Sequence, residues 1–396
     1  MSTAQRGARV PIAITMGDPC GIGPEIVLKA FAAGLPAPAL VVGDPGLLHR
    51  EAQRLRLPVH IRPVATPSAA LPAGASPNAA HLSAVIAPGM VTPLGAMTAP
   101  GGEAGLVGET GLGGMTALAA MAGLGGTTEL GIDVPVIAAA ALPADLRPGV
   151  VDARAGEAAW RCITRAATLA LRGEVRAVVT APISKEAMHR AGHHHPGHTE
   201  LLAELAGNVP VRMMLANTEL RTVLVTIHMA LRDALAALSV PLVLETIRIT
   251  DDALRRAGIA TPRIAVAGVN PHAGEGGLFG REEIDIVAPA IAQARALDID
   301  ASGPHPPDTV FMRARGMRHF DVVVAMYHDQ GLIPVKYLGV DEGVNITIGL
   351  PFVRTSPDHG TAFDIAGTAG PHGLGAADPA SLVAAFVQAD RLASHR

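Results

Sequence analysis

The stretch Asp321-Val-Val-Val-Ala-Met-Tyr-His328 decides the fold. Its apolar residues run without alternation and stop at a histidine. An unbroken β-branched run of this kind predicts a strand buried on both faces, as in a parallel sheet covered by helices. Two more stretches read the same way. Thr222-Val-Leu-Val-Thr-Ile runs into His228, and Arg263-Ile-Ala-Val-Ala-Gly-Val-Asn-Pro runs into His272. Further strands are expected over residues 10–15, 39–42, 175–180 and 345–348. Helices are expected from Pro24 through Phe31, after Asp44-Pro45, and over 152–171, 242–256, 282–296 and 381–394. Pro24 suits a first helical turn because its missing N–H would have no partner there. Apolar strands alternating with helices predict an α/β fold.

Composition narrows the class. The chain has 396 residues, 49% hydrophobic and 17% charged, with net charge −4. Such a chain can bury a large core and is not mainly disordered. The mild negative balance argues against a nucleic-acid or acidic-lipid partner. Cys20 and Cys162 alone cannot build a disulfide framework or a four-thiolate zinc site. No apolar run reaches the roughly 20 residues that span a bilayer. Residues 1–10 lack the apolar core of a signal peptide, so a cytoplasmic setting is expected. Residues 66–149 break the strand–helix rhythm, being rich in Ala, Gly and Pro, and are read as a flexible insertion. Within them Gly108-Glu-Thr-Gly111-Leu-Gly113-Gly114 has no following Lys and fails the phosphate-loop pattern.

Positive charge is written almost wholly as arginine. Lys29, Lys185 and Lys336 are the only lysines among 31 Lys+Arg, leaving 31 − 3 = 28 arginines. A retained lysine marks a position where a compact ammonium suits and a planar guanidinium does not. The only tyrosines, Tyr327 and Tyr337, flank His328 and Lys336.

The chemistry starts from the three strand ends. His228, His272 and His328 each stand at or just past the C-terminal end of a predicted strand, the edge where α/β sheets bind ligands. Three imidazoles with open positions make a catalytic-type site for zinc or a similar divalent ion. Asp329 follows His328 and can orient a ligand or accept a proton. The tract His193-His194-His195 has no strand to aim it and reads as a solvated loop. His198 and Thr199 open a helix whose N-terminus suits an anion. Lys336, Asn345 and Arg354 offer a point charge, a donor–acceptor amide and a bidentate fork for phosphate or carboxylate. Asp358-His359-Gly360-Thr361-Ala362-Phe363-Asp364-Ile365-Ala366-Gly367 reads, on composition, as a loop.

Taken together, these motifs resemble the 4-hydroxythreonine-4-phosphate dehydrogenase (PdxA) family. The matching elements are GDPCGIGPE, TAPISKEAMHRAG, PGHTELLAE, VLVTIHMALRD, VNPHAGEGGLFGREEID, GPHPPDTVF, AMYHDQGLIPVKYLG and GVNITIGLPFVRTSPDHGTAFDIAG. They cover most of residues 10–45 and nearly all of 150–370. The resemblance implies an isocitrate/isopropylmalate-dehydrogenase-like α/β fold, with two α/β domains and a cleft between them. One would hold residues 1–190 with 343–396, the other 191–342 with the metal histidines. It implies a homodimer with active sites at the interface. His228, His272 and His328 become ligands of a divalent ion, zinc, magnesium or cobalt. His198, Thr199, Lys336, Asn345 and Arg354 become substrate contacts. Lys336 and Asp329 become the candidate bases. His359, Gly360, Asp364 and Gly367 fall in the loop that would hold NAD or NADP; no Rossmann G-x-G-x-x-G is present, and this fold does not use one.

The implied reaction oxidises a secondary alcohol and then loses CO2, giving 3-amino-2-oxopropyl phosphate for pyridoxal phosphate synthesis. Cys20 departs from the family, which has Ala in the first glycine motif. TAPISKEAMHRAG is more similar to the subgroup acting on D-threonate or D-erythronate 4-phosphate. Aromatic dicarboxylate cis-dihydrodiols are a further substrate class within the family. Outside the class, a phosphate acyltransferase needs no histidine trio, and a three-His metal hydrolase needs no nucleotide loop.

Overall fold

The computed structural model describes residues 10–71, 131–339, 343–370 and 375–395. Along the chain the strands are β1 (Ile12–Thr15), β2 (Ala39–Gly43), β3 (Val59–Pro63), β4 (Ile132–Ala138), β5 (Ala177–Thr180), β6 (Arg212–Ala216), β7 (Arg221–Leu224), β8 (Ile264–Ala267), β9 (Ala301–His305), β10 (Val322–Ala325), β11 (Val344–Ile348) and β12 (Val353–Pro357). The helices are α1 (Gly23–Ala33), α2 (Pro45–Arg54), α3 (Ala153–Leu171), α4 (Lys185–Arg190), α5 (His198–Leu205), α6 (Leu231–Ala237), α7 (Val240–Arg256), α8 (Ala288–Arg295), α9 (Pro307–Ala314), α10 (His328–Leu338) and α11 (Ala380–Ala393). The expected α/β class is therefore the observed one. Among the described residues no helix is long and apolar enough to cross a membrane.

All twelve strands share one sheet, in the order β3-β4-β2-β1-β5-β12-β11-β6-β7-β10-β8-β9. Both wings are parallel, as the unbroken apolar runs predict; β1, β5 and β10 are buried throughout. The centre differs from that expectation. β12–β11, β11–β6 and β6–β7 pair antiparallel. For β6–β7 and β11–β12 the reason is connection length. Residues 217–220 join β6 to β7 and residues 349–352 join β11 to β12, and four residues cannot make the crossover that a parallel pair needs. Asn217 closes the first turn, its side-chain oxygen accepting from the N–H of Glu219 (2.9 Å) and Leu220 (2.8 Å). Gly349 serves the second at φ 96°, which a side chain would resist.

The boundaries of the expected insertion also change. Residues 67–70 form a short 3₁₀ turn, and β4 inserts between β3 and β2. The ladder to β2 begins at Val136, just past Pro135, which has no N–H to give. The glycine-rich stretch 101–130 and its Gly108–Gly114 segment lie outside the described residues.

Helix starts follow their capping residues. Asp44 caps α2 through the N–H of Gly46 (2.7 Å) and Leu47 (3.2 Å), and Asp152 caps α3. The expected helix over 282–296 begins with a π-turn at Glu283–Val287 before α8. Glu25, in the first glycine motif, is buried against Lys29 (2.8 Å), Arg54 (3.1 Å) and the N–H of Ala377 (2.8 Å). Lys29 also donates to the carbonyls of Gly375 and Ala377; its task is to tie α1 to the C-terminal segment.

Helices α3 and α4 meet with no room for a methyl group. A β-carbon on Gly156 would stand 2.1 Å from the carbonyl oxygen of Ala187. Helix propensity favours Ala over Gly by up to about 1 kcal/mol. Forcing a methyl into packed backbone costs about 1–3 kcal/mol or more. We expect Gly156→Ala to be net destabilising, seen as a lower urea midpoint with an unchanged slope; a midpoint at or above the parent would contradict this packing.

Candidate active site

Strands β7, β10 and β8 are adjacent and mutually parallel, so the segments carrying His228, His328 and His272 leave the sheet at one edge. Polar side chains tie those exits together. Thr226 donates its hydroxyl to the Met326 carbonyl (2.8 Å). Gln330 accepts from the Met326 N–H (2.6 Å) and donates to the Gly268 carbonyl (2.7 Å). Gly331 gives α10 its close seat, since a β-carbon there would stand 2.5 Å from Leu224.

His228 and His328 come together, their ring centroids 5.5 Å apart. They line a cavity of about 460 Å³ with Met229, Leu231, Tyr327 and Asp329. Nδ1 of His328 lies 2.7 Å from Asp329. A carboxylate only accepts, so Nδ1 carries the hydrogen and Nε2 keeps its lone pair free. Burial lowers the pKa of His228, and the charges of Lys185 and His328 add to that effect. A neutral imidazole is the form that ligates a cation.

His272 is held differently. Residues His272 to Gly276 run in the left-handed region, including the non-glycine residues His272 (φ 52°), Ala273 (φ 54°) and Glu275 (φ 43°). Such backbone persists only when its surroundings enforce it. Glu283 does so: its buried carboxylate accepts from the N–H of Val269 (2.6 Å) and Asn270 (2.7 Å) and from the Asn270 amide (3.0 Å). The His272 ring rests 6.5 Å from that of Phe279. Among the described residues of one chain, no three His, Cys, Asp or Glu side chains form a group that could hold a metal. One chain thus pairs two of the three candidate ligands and leaves the third apart.

A second group forms on the central strands. Register puts Arg354 opposite Val178 and Asn345 opposite Ser356, so Thr180, Arg354, Ser356, Asn345 and Thr347 share one face. Arg354 is 2% exposed. It donates to Thr347 (3.0 Å) and Thr180 (2.6 Å), and its Nε has no partner. No carboxylate among the described residues lies within ion-pair distance of it, and burial lowers its pKa to about 10. Asn345 has a buried, unpartnered Oδ1, and His198 a buried, unpartnered Nε2. Desolvation, then the charges of Arg354 and Lys185, hold the His198 pKa well below the imidazole range. Neither His198 nor Thr199 caps α5; Gly197 occupies the cap and His198 is the first helical residue. Thr199 lines an adjoining cavity with Glu200 and Thr226.

Lys336 pairs with Asp358 (2.8 Å), which links α10 to the start of the 358–367 loop. That loop packs on the first glycine motif: Ile22 N–H donates to the Thr361 carbonyl (3.0 Å). Gly367, at φ 73°, would drive a β-carbon to 2.6 Å from Pro148. His359 stays exposed with Nδ1 3.1 Å from the Gly360 carbonyl, and a β-carbon on Gly360 would meet open space. Asp364 is exposed on the same loop.

Within the tract 193–195, His194 is exposed as expected from sequence, but His193 and His195 are not free in solvent. His193 stacks on Trp160 (centroids 4.3 Å, planes within 4°) and pairs with Glu157 (2.7 Å), while His195 pairs with Glu204 (3.0 Å). The neighbours that capture these rings come from α3 and α5, which local composition cannot foresee. Two acidic residues escaped the sequence reading. Glu283 clamps the His272 loop as above. Asp18 is fully buried, accepts from the Cys20 N–H (2.8 Å) and keeps one unpartnered oxygen; burial raises its pKa to about 6. Both sit inside motifs already singled out, but only burial marks them. Cys20 is itself buried, its thiol pushed up to about 12 by desolvation.

A 4-hydroxythreonine-4-phosphate dehydrogenase of Beijerinckia indica is 47% identical over 386 residues, 96% of this chain and 95% of the relative. A D-threonate 4-phosphate dehydrogenase of Salmonella typhimurium is 46% identical over 360 residues, 90% of this chain and 93% of the relative. A crystal structure of 4-hydroxythreonine-4-phosphate dehydrogenase from Klebsiella pneumoniae superposes with TM-score 0.76 at 42% identity, covering 97% of this chain and 99% of that one. Residues 36–389 match the family described as pyridoxal phosphate biosynthetic protein PdxA, and the chain belongs to that family.

Proposed function

We propose that the chain is a metal-dependent, nicotinamide-linked dehydrogenase. It oxidises the secondary alcohol of 4-hydroxythreonine 4-phosphate, with loss of CO2 to give 3-amino-2-oxopropyl phosphate. One observation carries the reading: Arg354 is buried without a carboxylate partner, beside unpartnered polar atoms of His198 and Asn345. A desolvated cation so surrounded calls for an anionic ligand.

Arg354, His198 and Asn345 hold the anionic end of the substrate. His228 and His328 face the hydroxyl, and Asp329 fixes the tautomer that leaves His328 Nε2 available. When bound, a divalent cation (zinc, magnesium or cobalt) supplies Lewis acidity at that hydroxyl, and NAD or NADP on the 358–367 loop accepts the hydride. The two candidate bases are both engaged, Asp329 with His328 and Lys336 with Asp358; either takes the hydroxyl proton only as an unpaired carboxylate or as a neutral amine. In this reading residues 1–190 with 343–396 form the cofactor half and residues 191–342 the metal half.

The third ligand, His272, comes from a second copy of the chain. Exposed apolar side chains support this. Met229 and Leu231 flank the histidine pair at 49% and 56% exposure, and Leu278 and Phe279 follow His272 at 74% and 48%. Such residues on both sides of an incomplete site are what a partner subunit covers. A second substrate reading stays close behind. The 46% identity to a D-threonate 4-phosphate dehydrogenase and the TAPISKEAMHRAG segment favour the same chemistry on D-threonate or D-erythronate 4-phosphate.

Three measurements test these assignments. Protein, divalent metal, NAD and 4-hydroxythreonine 4-phosphate should give rising reduced-nicotinamide absorbance. A rise only with D-threonate phosphate or a dihydrodiol would reassign the substrate, and a flat trace with all of them would remove the dehydrogenase reading. His228→Ala and His272→Ala should each be inactive and metal-poor. Mixed and refolded together, they should recover about a quarter of parental activity, because half of random dimers carry one intact composite site. No recovery would place all three histidines in one subunit. Arg354→Met should abolish substrate binding while leaving the unfolding midpoint at or above the parent, since it removes an uncompensated buried charge; a large fall in midpoint would make Arg354 a structural residue.

A further inference from the structure

Of the three lysines, two have visible partners. Lys29 is locked to Glu25 and two carbonyls, and Lys336 to Asp358. Lys185 is exposed, and no carboxylate among the described residues lies within ion-pair distance of it. Its backbone is nonetheless rigid. It is the first residue of α4, whose start is capped by Ser184 accepting from the Ala187 N–H (3.1 Å). That helix is pressed on α3 at Gly156, and the loop before it is pinned where Asp18 N–H donates to the Pro182 carbonyl (2.8 Å). The side chain reaches toward the site. Its Cε lies 3.7 Å from where a β-carbon on Gly197 would stand, immediately before His198. Its charge is felt at both His198 and His228. Lys185 therefore lies beside Gly197 and His198, at the edge of the Arg354 pocket. Glu200 is close to the same spot, with an oxygen 3.4 Å from the Gly197 β-position, yet makes no ion pair with it.

The proposed substrate carries two anionic groups, a phosphate and a carboxylate, on either side of the carbinol. Arg354 with His198 and Asn345 can take one. The charge of Lys336 is already matched by Asp358. The second anion needs a cation that is close, mobile at its tip and unpaired, and a point-charge ammonium on a flexible stem meets that need better than a guanidinium.

We propose that Lys185 is a substrate-binding, specificity-determining residue whose ammonium contacts the substrate carboxylate on the histidine side of the pocket, while Arg354 takes the phosphate. This rests on the proposed function above. It explains why a chain that writes its positive charge as arginine keeps lysine here.

The test is calorimetric binding of two compounds to the parent, Lys185→Met and Lys185→Arg proteins. One compound is 4-hydroxythreonine 4-phosphate. The other is its analogue with the carboxylate replaced by hydroxymethyl. A charge-assisted contact should make the parent prefer the acid by about 10- to 100-fold. Lys185→Met should bind both alike, and Lys185→Arg should recover part of the preference. Unchanged preference in Lys185→Met, or equal weakening for both compounds, overturns the assignment while leaving the dehydrogenase reading intact. A parent protein that binds neither compound removes the dehydrogenase reading and this assignment together.

Discussion

The buried guanidinium of Arg354 is the constraint around which the central sheet is arranged. Removing a charge from water is costly, and the cost is normally offset by a carboxylate partner. Here two threonine hydroxyls take two of the donors, from Thr347 on β11 and Thr180 on β5, and Nε is left bare. Burial has already pulled the group's pKa down to about 10. Neutral partners relieve the desolvation without cancelling the charge. An arrangement of that kind is least favourable alone and most favourable with an anion in place, which is how a binding site differs from a structural ion pair.

The sheet's antiparallel centre makes this arrangement available. Because the β6–β7 and β11–β12 connections are four residues long, β11 lies beside β12, and β12 in turn lies parallel to β5. Polar residues far apart in the chain then share one face. The histidine edge is organised by a separate set of bonds. Thr226 and Gln330 tie β7, β10 and β8 at their ends, and Glu283 holds the left-handed loop that presents His272. The two centres meet across His198 and Lys185, which lie on the short helices α5 and α4 rather than on strands. Those helices are anchored from outside the sheet, by the Trp160–His193 stack and the Gly156 contact.

Much of the fold was legible in the residues themselves. Short β-branched runs that are apolar without alternation fit strands covered on both sides, and residues 222–227, 263–269 and 321–326 overlap β7, β8 and β10. Asp44 and Asp152 cap as their side chains dictate. Strand direction was not legible in the same way. A buried strand has the same composition in either direction; the short turns at 217–220 and 349–352 force two of the antiparallel pairs, and β11–β6 joins segments remote in the chain. Strand β4 was hidden because an Ala/Gly-rich context and Pro135 masked it. His193–His195 looked solvated because its partners, Trp160, Glu157 and Glu204, are remote or carry no local signature.

The sequence by itself determined which side chains are available for chemistry. Histidines end the apolar runs, Lys336, Asn345 and Arg354 follow one another in the chain, and lysine survives at three positions. These are properties of residue type and order, and no fold can alter them. Tertiary structure decided which of those groups meet, which keep unpartnered atoms, and which are already engaged. It paired His228 with His328 and left His272 apart, bound Lys336 to Asp358 while leaving Lys185 free of any ion pair among the described residues, and buried Arg354 with no carboxylate in ion-pair distance among them. Proximity, desolvation and the left-handed backbone at His272 arise from contacts between distant segments, and a linear pattern carries no record of them.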